Sequence, residues 1–313
     1  MKKILVIGEL LWDLLPDGRK LGGAPANFAF RLNSLGYDTR LLTSVGNDSL
    51  GKEAIEILST HDVNISFIQI NENYPTGTVN VSFDSLKNPD YIINPNVAYD
   101  FIRLENEIIE FAKSADCIAF GTLVQRSSQS RAVIEEIIKN SVKAIKFLDI
   151  NLRKNCYTRE TVKSSISFTN ILKINENEAF EVNNMFGLGA DGLPGIGLSL
   201  TEKFNLRICL ITLGEYGALI ISDNNEINYS PGFKVKMVDP LGAGDAFSAA
   251  FIHSLLSGEN LHQAIEQANK AGAMVVGQKG AMQEITVEDW KLFNYKQYER
   301  IYNNNLLKYL KAN

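Results

Sequence analysis

Apolar residues recur along the chain in two rhythms. Short runs of strand length occupy Ile4–Gly8, Arg40–Val45, Asp116–Gly121, Ala144–Asp149, Ile171–Ile174 and Arg207–Leu213. Between them, Pro25–Leu35, Leu50–Ser59, Leu104–Lys113, Ser128–Lys139 and Glu176–Phe186 carry helical spacing. Alternation of β-rich runs with helices predicts βαβ units around a mostly parallel sheet, an α/β fold. Gly244–Leu256 and Leu261–Val275 read as two further helices. One region breaks the rhythm. Thr78–Phe83 alternates, and Tyr91–Ile93 follows a turn containing Asn88-Pro89, which predicts antiparallel ribbon. Such ribbon is a cover over a site, a subunit contact or an ordinary surface hairpin. No repeat, low-complexity tract or linker divides the chain. The expectation is one domain over residues 1–313, with a small lid from segments near 10–22 and 66–100.

Composition narrows the possible functions. The 313 residues are 45% apolar and 21% charged, enough to bury a substantial core. A formal charge of −5 and a pI of about 5.4 argue against coating nucleic acid or anchoring to an acidic membrane surface. Cys117, Cys156 and Cys209 are scattered, as are His61, His253 and His262, which speaks against a zinc site or disulfide framework. No segment is apolar enough to span a membrane, and Glu9 and Asp13 interrupt the only signal-like start, so a cytoplasmic location is expected.

Two glycine motifs mislead. Gly187-Leu-Gly189-Ala-Asp-Gly192 matches the dinucleotide fingerprint, but a helix rather than a strand precedes it, so it reads as a helix-terminating loop. Gly46-Asn-Asp-Ser-Leu-Gly51-Lys52 nearly matches a P-loop, which would make Lys52 the centre of a nucleotidase. The next residue is Glu53, where a P-loop needs a hydroxyl for magnesium. The alternative is a strand–helix connection with Asp48 or Ser49 as N-cap.

The chemistry concentrates in Asp239-Pro-Leu-Gly242-Ala243-Gly244-Asp245-Ala-Phe, where two glycines permit close backbone approach to a ligand and a small-residue helix follows. Free N–H groups at a helix start form an anion site, and a carboxylate beside a phosphoryl group can accept the proton of an attacking hydroxyl. As a plain first-turn residue, Asp245 would gain only ~0.3–1 kcal/mol from the helix dipole.

This segment resembles the C-terminal signature of the ribokinase-like (PfkB-type) carbohydrate kinases. Gly22-Gly23-Ala-Pro-Ala-Asn27-Phe-Ala resembles their N-terminal signature, and Gly46-Asn-Asp48-Ser-Leu-Gly51 their glycine–aspartate–glycine element. Asn175-Glu-Asn-Glu178 resembles the N-x-x-E magnesium motif, and Thr212-Leu-Gly214-Glu-Tyr-Gly217 the nucleotide turn. Five elements in the family's order span nearly the whole chain.

The resemblance implies a three-layer α/β/α fold and ATP-dependent phosphorylation of a sugar's primary hydroxyl. Gly242, Ala243 and Gly244 would form the anion hole and Asp245 would be the general base. Magnesium would sit on the side of Asn175 and Glu178, partly through water. Thr212, Gly214, Gly217 and Asn269 would lie along ATP. Asp13, Gly22, Gly23 and Asn27 would hold the sugar, joined by Asn151 from Asp149-Ile-Asn-Leu-Arg153, while Arg153 would clamp a phosphate, reach the sugar or form only a surface salt bridge. The substrate segments look most like fructokinases. The 2-keto-3-deoxygluconate kinases share part of the pattern, but their acidic substrate would want basic partners, for which Arg126, Arg131 and Arg153 are loose candidates. Ribokinase-type activity and a non-catalytic sugar- or nucleotide-sensing domain are the other readings. Pro240-Leu241 replaces two threonines common in the family. Asp239 is retained where relatives hold a monovalent cation, while Glu284 falls near a position that is often serine, so the resemblance admits potassium without requiring it. It also admits a homodimer through the lid.

Overall fold

The structure, a computed structural model, describes residues 1–16, 18–83 and 89–311. Asn88 of the expected ribbon turn lies outside the described residues. The chain divides into two compact units, Met1–Ile145 with Arg153–Tyr157, and Lys146–Leu152 with Thr158–Asn313.

The first unit runs β1 (Lys3–Ile7), β2 (Leu11–Leu15), β3 (Gly18–Gly22), α1 (Ala24–Ser34), β4 (Asp38–Gly46), α2 (Ser49–Thr60), β5 (Ile68–Asn71), β6 (Gly77–Phe83), β7 (Pro89–Ile93), α3 (Asn106–Lys113), β8 (Cys117–Phe120) and α4 (Ser128–Asn140). Ile4 to Ile7 are buried on both faces of β1, as a parallel sheet between helices demands. β1 pairs in parallel with β4 and β8, and β4 pairs in parallel with β5. The ribbon is real. β6 and β7 pair antiparallel and extend through β2 to β3, giving a second sheet in the order β3-β2-β6-β7.

The second unit takes up β9 (Ile145–Asp149) from Lys146 onward and continues through α5 (Arg159–Ser167), β10 (Ile171–Asn175), α6 (Glu176–Phe186), α7 (Gly192–Phe204), β11 (Ile208–Thr212), β12 (Ala218–Ser222), β13 (Ile227–Ser230), β14 (Gly232–Phe233), α8 (Ala243–Leu256), α9 (Leu261–Val276), α10 (Val287–Lys296) and β15 (Arg300–Ile301). β9, β10 and β11 are parallel, and β12 and β13 add antiparallel strands at the edge. α8 packs on α9 through Ala246, Ala250, Ala271 and Val275, small residues that let the two helices approach closely. Among the described residues no helix is long and apolar enough to cross a membrane.

Helix α7 departs from the sequence reading. Gly187 ends α6 in the left-handed conformation (φ 58°), as a helix-terminating loop should. The chain then re-enters helix at Gly192, although Pro194, Gly195 and Gly197 follow. Pro194 lies in the first turn, where its missing N–H has no helical partner to lose. A Cβ at Gly197 would overlap Ile221, so the glycine lets α7 lie close on β12. Burial of Leu193, Ile196 and Leu200 outweighs the poor propensity.

Candidate active site

In the first unit, the carboxylate of Asp13 projects from β2. Its backbone stands opposite Lys20 of β3 and Val79 of β6. A Cβ on Gly22 would come within 2.7 Å of Asp13 Oδ2, so glycine there leaves room for the carboxylate. Gly23, at φ 120°, caps α1, and a Cβ would lie 2.5 Å from the Glu9 carbonyl. No side chain caps α1, and Asn27 is buried in its second turn. Burial raises the Asp13 carboxyl above its ordinary value, opposed by the charges of Arg153 and Lys20. Asp13, Gly22, Gly23, Asn27 and Arg153 thus belong to one unit, with Arg153 close enough to act on Asp13. Asn151 belongs to the other unit, where it holds a left-handed backbone (φ 42°) at the end of β9.

Arg126 is already committed within the first unit. Its Nε donates to Asp100 Oδ1 at 2.8 Å and its Nη2 to Asp100 Oδ2 at 2.9 Å. Nη2 also donates to the Asn94 carbonyl at 2.8 Å and the Tyr99 hydroxyl at 3.1 Å. The near-P-loop is a structural knot. Asp48 caps α2, its Oδ1 accepting from Gly51 N at 2.8 Å and from the Thr76 hydroxyl at 2.7 Å, while Oδ2 accepts from Thr76 N at 2.8 Å. Its own carboxylate fills the place a phosphate would need, and Lys52 is exposed. The P-loop reading therefore fails.

In the second unit, Gly242 caps α8 at φ 79°, and a Cβ there would lie 2.7 Å from Ala281 Cβ. Five other helices have a side chain capping their first turn: Asp48 on α2, Thr158 on α5, Asn175 on α6, Asn260 on α9 and Thr286 on α10. α8 has none, as is also true of α1, α3, α4 and α7; what sets α8 apart is a start on two glycines, Gly242 and Gly244, that leaves its first N–H groups open to close approach by an anion. Ala243 N–H turns back to the Pro240 carbonyl at 3.3 Å. Asp245, third in the helix, is partly exposed, while Ala246 to Ile252 are buried. Asp239 braces the loop, with Oδ1 accepting from Leu241 N at 3.1 Å and Oδ2 from Gly280 N at 3.2 Å.

Beside this loop stands a residue that motif reading missed. Lys173, in the middle of β10, donates to Asp149 Oδ2 at 2.8 Å and Oδ1 at 3.1 Å. The Ser248 hydroxyl of α8 reaches Asp149 Oδ2 at 3.4 Å. Burial alone would lower the Lys173 amine, but Asp149, Glu178 and Asp245 outweigh it and raise its pKa, so the ammonium stays charged. The signal was a lysine amid the apolar run Ile171-Leu172-Lys173-Ile174.

Asn175 and Glu178 form a reciprocal cap. Glu178 Oε2 accepts from Asn175 N at 2.8 Å, Asn175 Oδ1 accepts from Glu178 N at 2.9 Å, and Leu152 N donates to Glu178 Oε1 at 2.9 Å. Burial raises the Glu178 carboxyl above its ordinary value despite these bonds. Among the described residues no group of three or more His, Cys, Asp or Glu is placed to hold a metal. A carboxylate offers about four acceptor sites, so Glu178 keeps capacity for a hydrated cation rather than for direct ligation by a cluster.

Thr212 ends β11 in register with Asn175. Gly214 (φ 58°) faces open space, whereas a Cβ on Gly217 would overlap the Ser230 carbonyl, so packing dictates that glycine. The Asn269 amide nitrogen donates to the Ser230 carbonyl at 3.0 Å and hydroxyl at 2.8 Å, tying α9 to β13.

Residues 1–287 match the model of the pfkB family carbohydrate kinases. The chain is 30% identical over 319 residues to an uncharacterized sugar kinase of Pyrococcus horikoshii, covering 95% of this chain and 97% of that one. The crystal structure of that kinase in complex with ATP matches with a TM-score of 0.78 at 28% identity, over 94% of this chain and 98% of that one. The fructokinase of Salmonella typhimurium is 27% identical over 300 residues, 90% of this chain and 95% of that one. The fold is the ribokinase-like three-layer α/β/α fold, as the motifs implied. With its glycine-started helix α8 and Asp245 in the first turn, the chain belongs to the pfkB family of carbohydrate kinases, ATP-dependent phosphotransferases.

Proposed function

We propose that the chain phosphorylates the primary hydroxyl of a neutral sugar, fructose first, giving fructose 6-phosphate and ADP. The observation that carries this reading is the pairing of the glycine-started α8 with a partly exposed Asp245 three residues on from Gly242. Asp245 accepts the hydroxyl proton as the sugar oxygen bonds to the γ-phosphorus. The bond from that phosphorus to the β,γ-bridging oxygen breaks, and ADP leaves. The N–H groups of Gly242 and Gly244 hold the charge on the transferring group. Magnesium, held through water from Glu178 and Asn175, would offset phosphate charge, and Asp239 offers a carboxylate beside the loop for potassium. Thr212 and Gly214 border the nucleotide. Asp13, Gly22, Gly23, Asn27, Asn151 and Arg153 hold the sugar, for which a carboxylate accepting two hydroxyls suits Asp13.

A neutral acceptor is favoured over 2-keto-3-deoxygluconate because Asp100 already neutralises Arg126, one of the basic candidates. The similarity to the Salmonella fructokinase supports fructose. Coupled detection of ADP across a sugar panel tests the acceptor, and no turnover with any sugar would favour the sensing reading. Asp245→Asn keeps the shape and removes the base. The expected loss in kcat is ~10²–10⁴-fold, and a folded variant turning over near the wild-type rate would defeat the assignment.

A further inference from the structure

Strand β10 carries a lysine where packing asks for an apolar residue. Its neighbours Leu172 and Ile174 are fully buried, and the Lys173 side chain is only 12% exposed. Its ammonium reaches the other end of the cluster too. A Cβ built on Gly244 would lie 3.4 Å from Lys173 Nζ, so the charge rests against the first turn of α8. A cation at a helix N-terminus has the wrong sign for the helix dipole. Stability does not explain it either, because a buried ion pair is often replaceable by apolar residues without loss. Its placement makes sense where an anion arrives from outside. Asp149, Glu178 and Asp245 all act on Lys173, three negative charges against one positive. Left uncompensated, they would repel an incoming phosphoryl group.

We propose that Lys173 is a positioning residue for phosphoryl transfer: clamped by Asp149, it holds positive charge beneath Gly244 and offsets the surrounding carboxylates, so that the transferring group can settle at the start of α8. The Asp149–Ser248 contact ties this charge to the helix that carries Asp245. The proposal rests on the kinase reading above and adds to it a residue outside the five motifs.

The test compares wild type, Lys173→Met and the double variant Lys173→Met/Asp149→Asn. Each is assayed for thermal melting, for kcat and KM on the best sugar, and for calorimetric binding of ADP with and without aluminium fluoride in the presence of sugar. Lys173→Met is expected to lower kcat by ~10²–10³-fold, the usual loss on removing one electrostatic stabiliser, with sugar KM little changed. The double variant leaves no lone buried charge, so it should regain the wild-type melting temperature while its kcat stays low. Both variants should bind ADP yet lose the extra affinity that aluminium fluoride confers. If the double variant recovers kcat together with its melting temperature, Lys173 serves only to neutralise Asp149, and the proposal falls. It also falls if Lys173→Met keeps wild-type kcat. Failure of the kinase reading itself would appear in the wild type, as absence of turnover on every sugar.

Discussion

Asp13 is buried enough to lie above the ordinary aspartate value of 3.8, and Arg153 is the larger of the two charges pulling it back. An ionised Asp13 can accept two sugar hydroxyls, and a protonated one loses that capacity. Sugar affinity should therefore fall on acidification at a pH above the usual aspartate range. Arg153→Gln removes the opposing charge, so the acid limb of kcat/KM for sugar should move to higher pH. A limb that stays in place in this variant would show that Arg153 does not act on Asp13. At this scale the sequence was legible wherever a residue is forced by its backbone. Gly242 could be picked out because its positive φ and close packing require glycine, whereas Gly22 and Gly23, equally constrained, were reached through the motif they share with the family. Lys173 was not legible, because its partner Asp149 lies far along the chain and no local pattern links the two.

Elements behave similarly. Strands β1, β4, β8, β9, β10 and β11 declare themselves as apolar runs because both faces are covered. Helix α7 did not, since its glycines and proline satisfy local demands that only the contact with β12 reveals. The α2 start shows one motif doing mechanical work. Burial by itself would raise the Asp48 carboxyl, yet hydrogen bonds from Thr76 and Gly51 hold it below the ordinary value. These bonds join β4, α2 and the segment leading into β6. Asp48→Ala should destabilise the first unit by ~1–2 kcal/mol, as loss of an N-cap does, measured by urea denaturation. The pH sign follows from the depressed value. Stabilisation by ionised Asp48 is present above the unfolded aspartate pKa of about 3.9 and is lost as pH falls through the lower folded one. The difference between wild type and variant should therefore shrink on acidification. A constant difference down to the lowest pH at which both fold would mean that the charge is not what holds the knot.

For the whole molecule, the assigned residues divide by unit. Asp13, Gly22, Gly23, Asn27 and Arg153 lie in the first, and Thr212, Gly214, Gly242, Gly244 and Asp245 in the second. If the sugar and nucleotide assignments are right, the two ligands can be uncoupled by single substitutions. Any ligand bound only by folded protein adds about 2.7 kcal/mol at a hundredfold excess over its Kd, enough to raise the melting temperature measurably. Asp13→Asn should lose the rise caused by fructose and keep that caused by ADP. Gly214→Asp should do the reverse. Aspartate tolerates the left-handed backbone at this position better than most residues, the space there is open, and the added charge would repel the phosphates. Melting without ligand checks that both variants fold. Two folded variants that each lose both responses would mean that acceptor and nucleotide do not divide between these residues, and the assignment of Asp13 to the sugar would have to be given up.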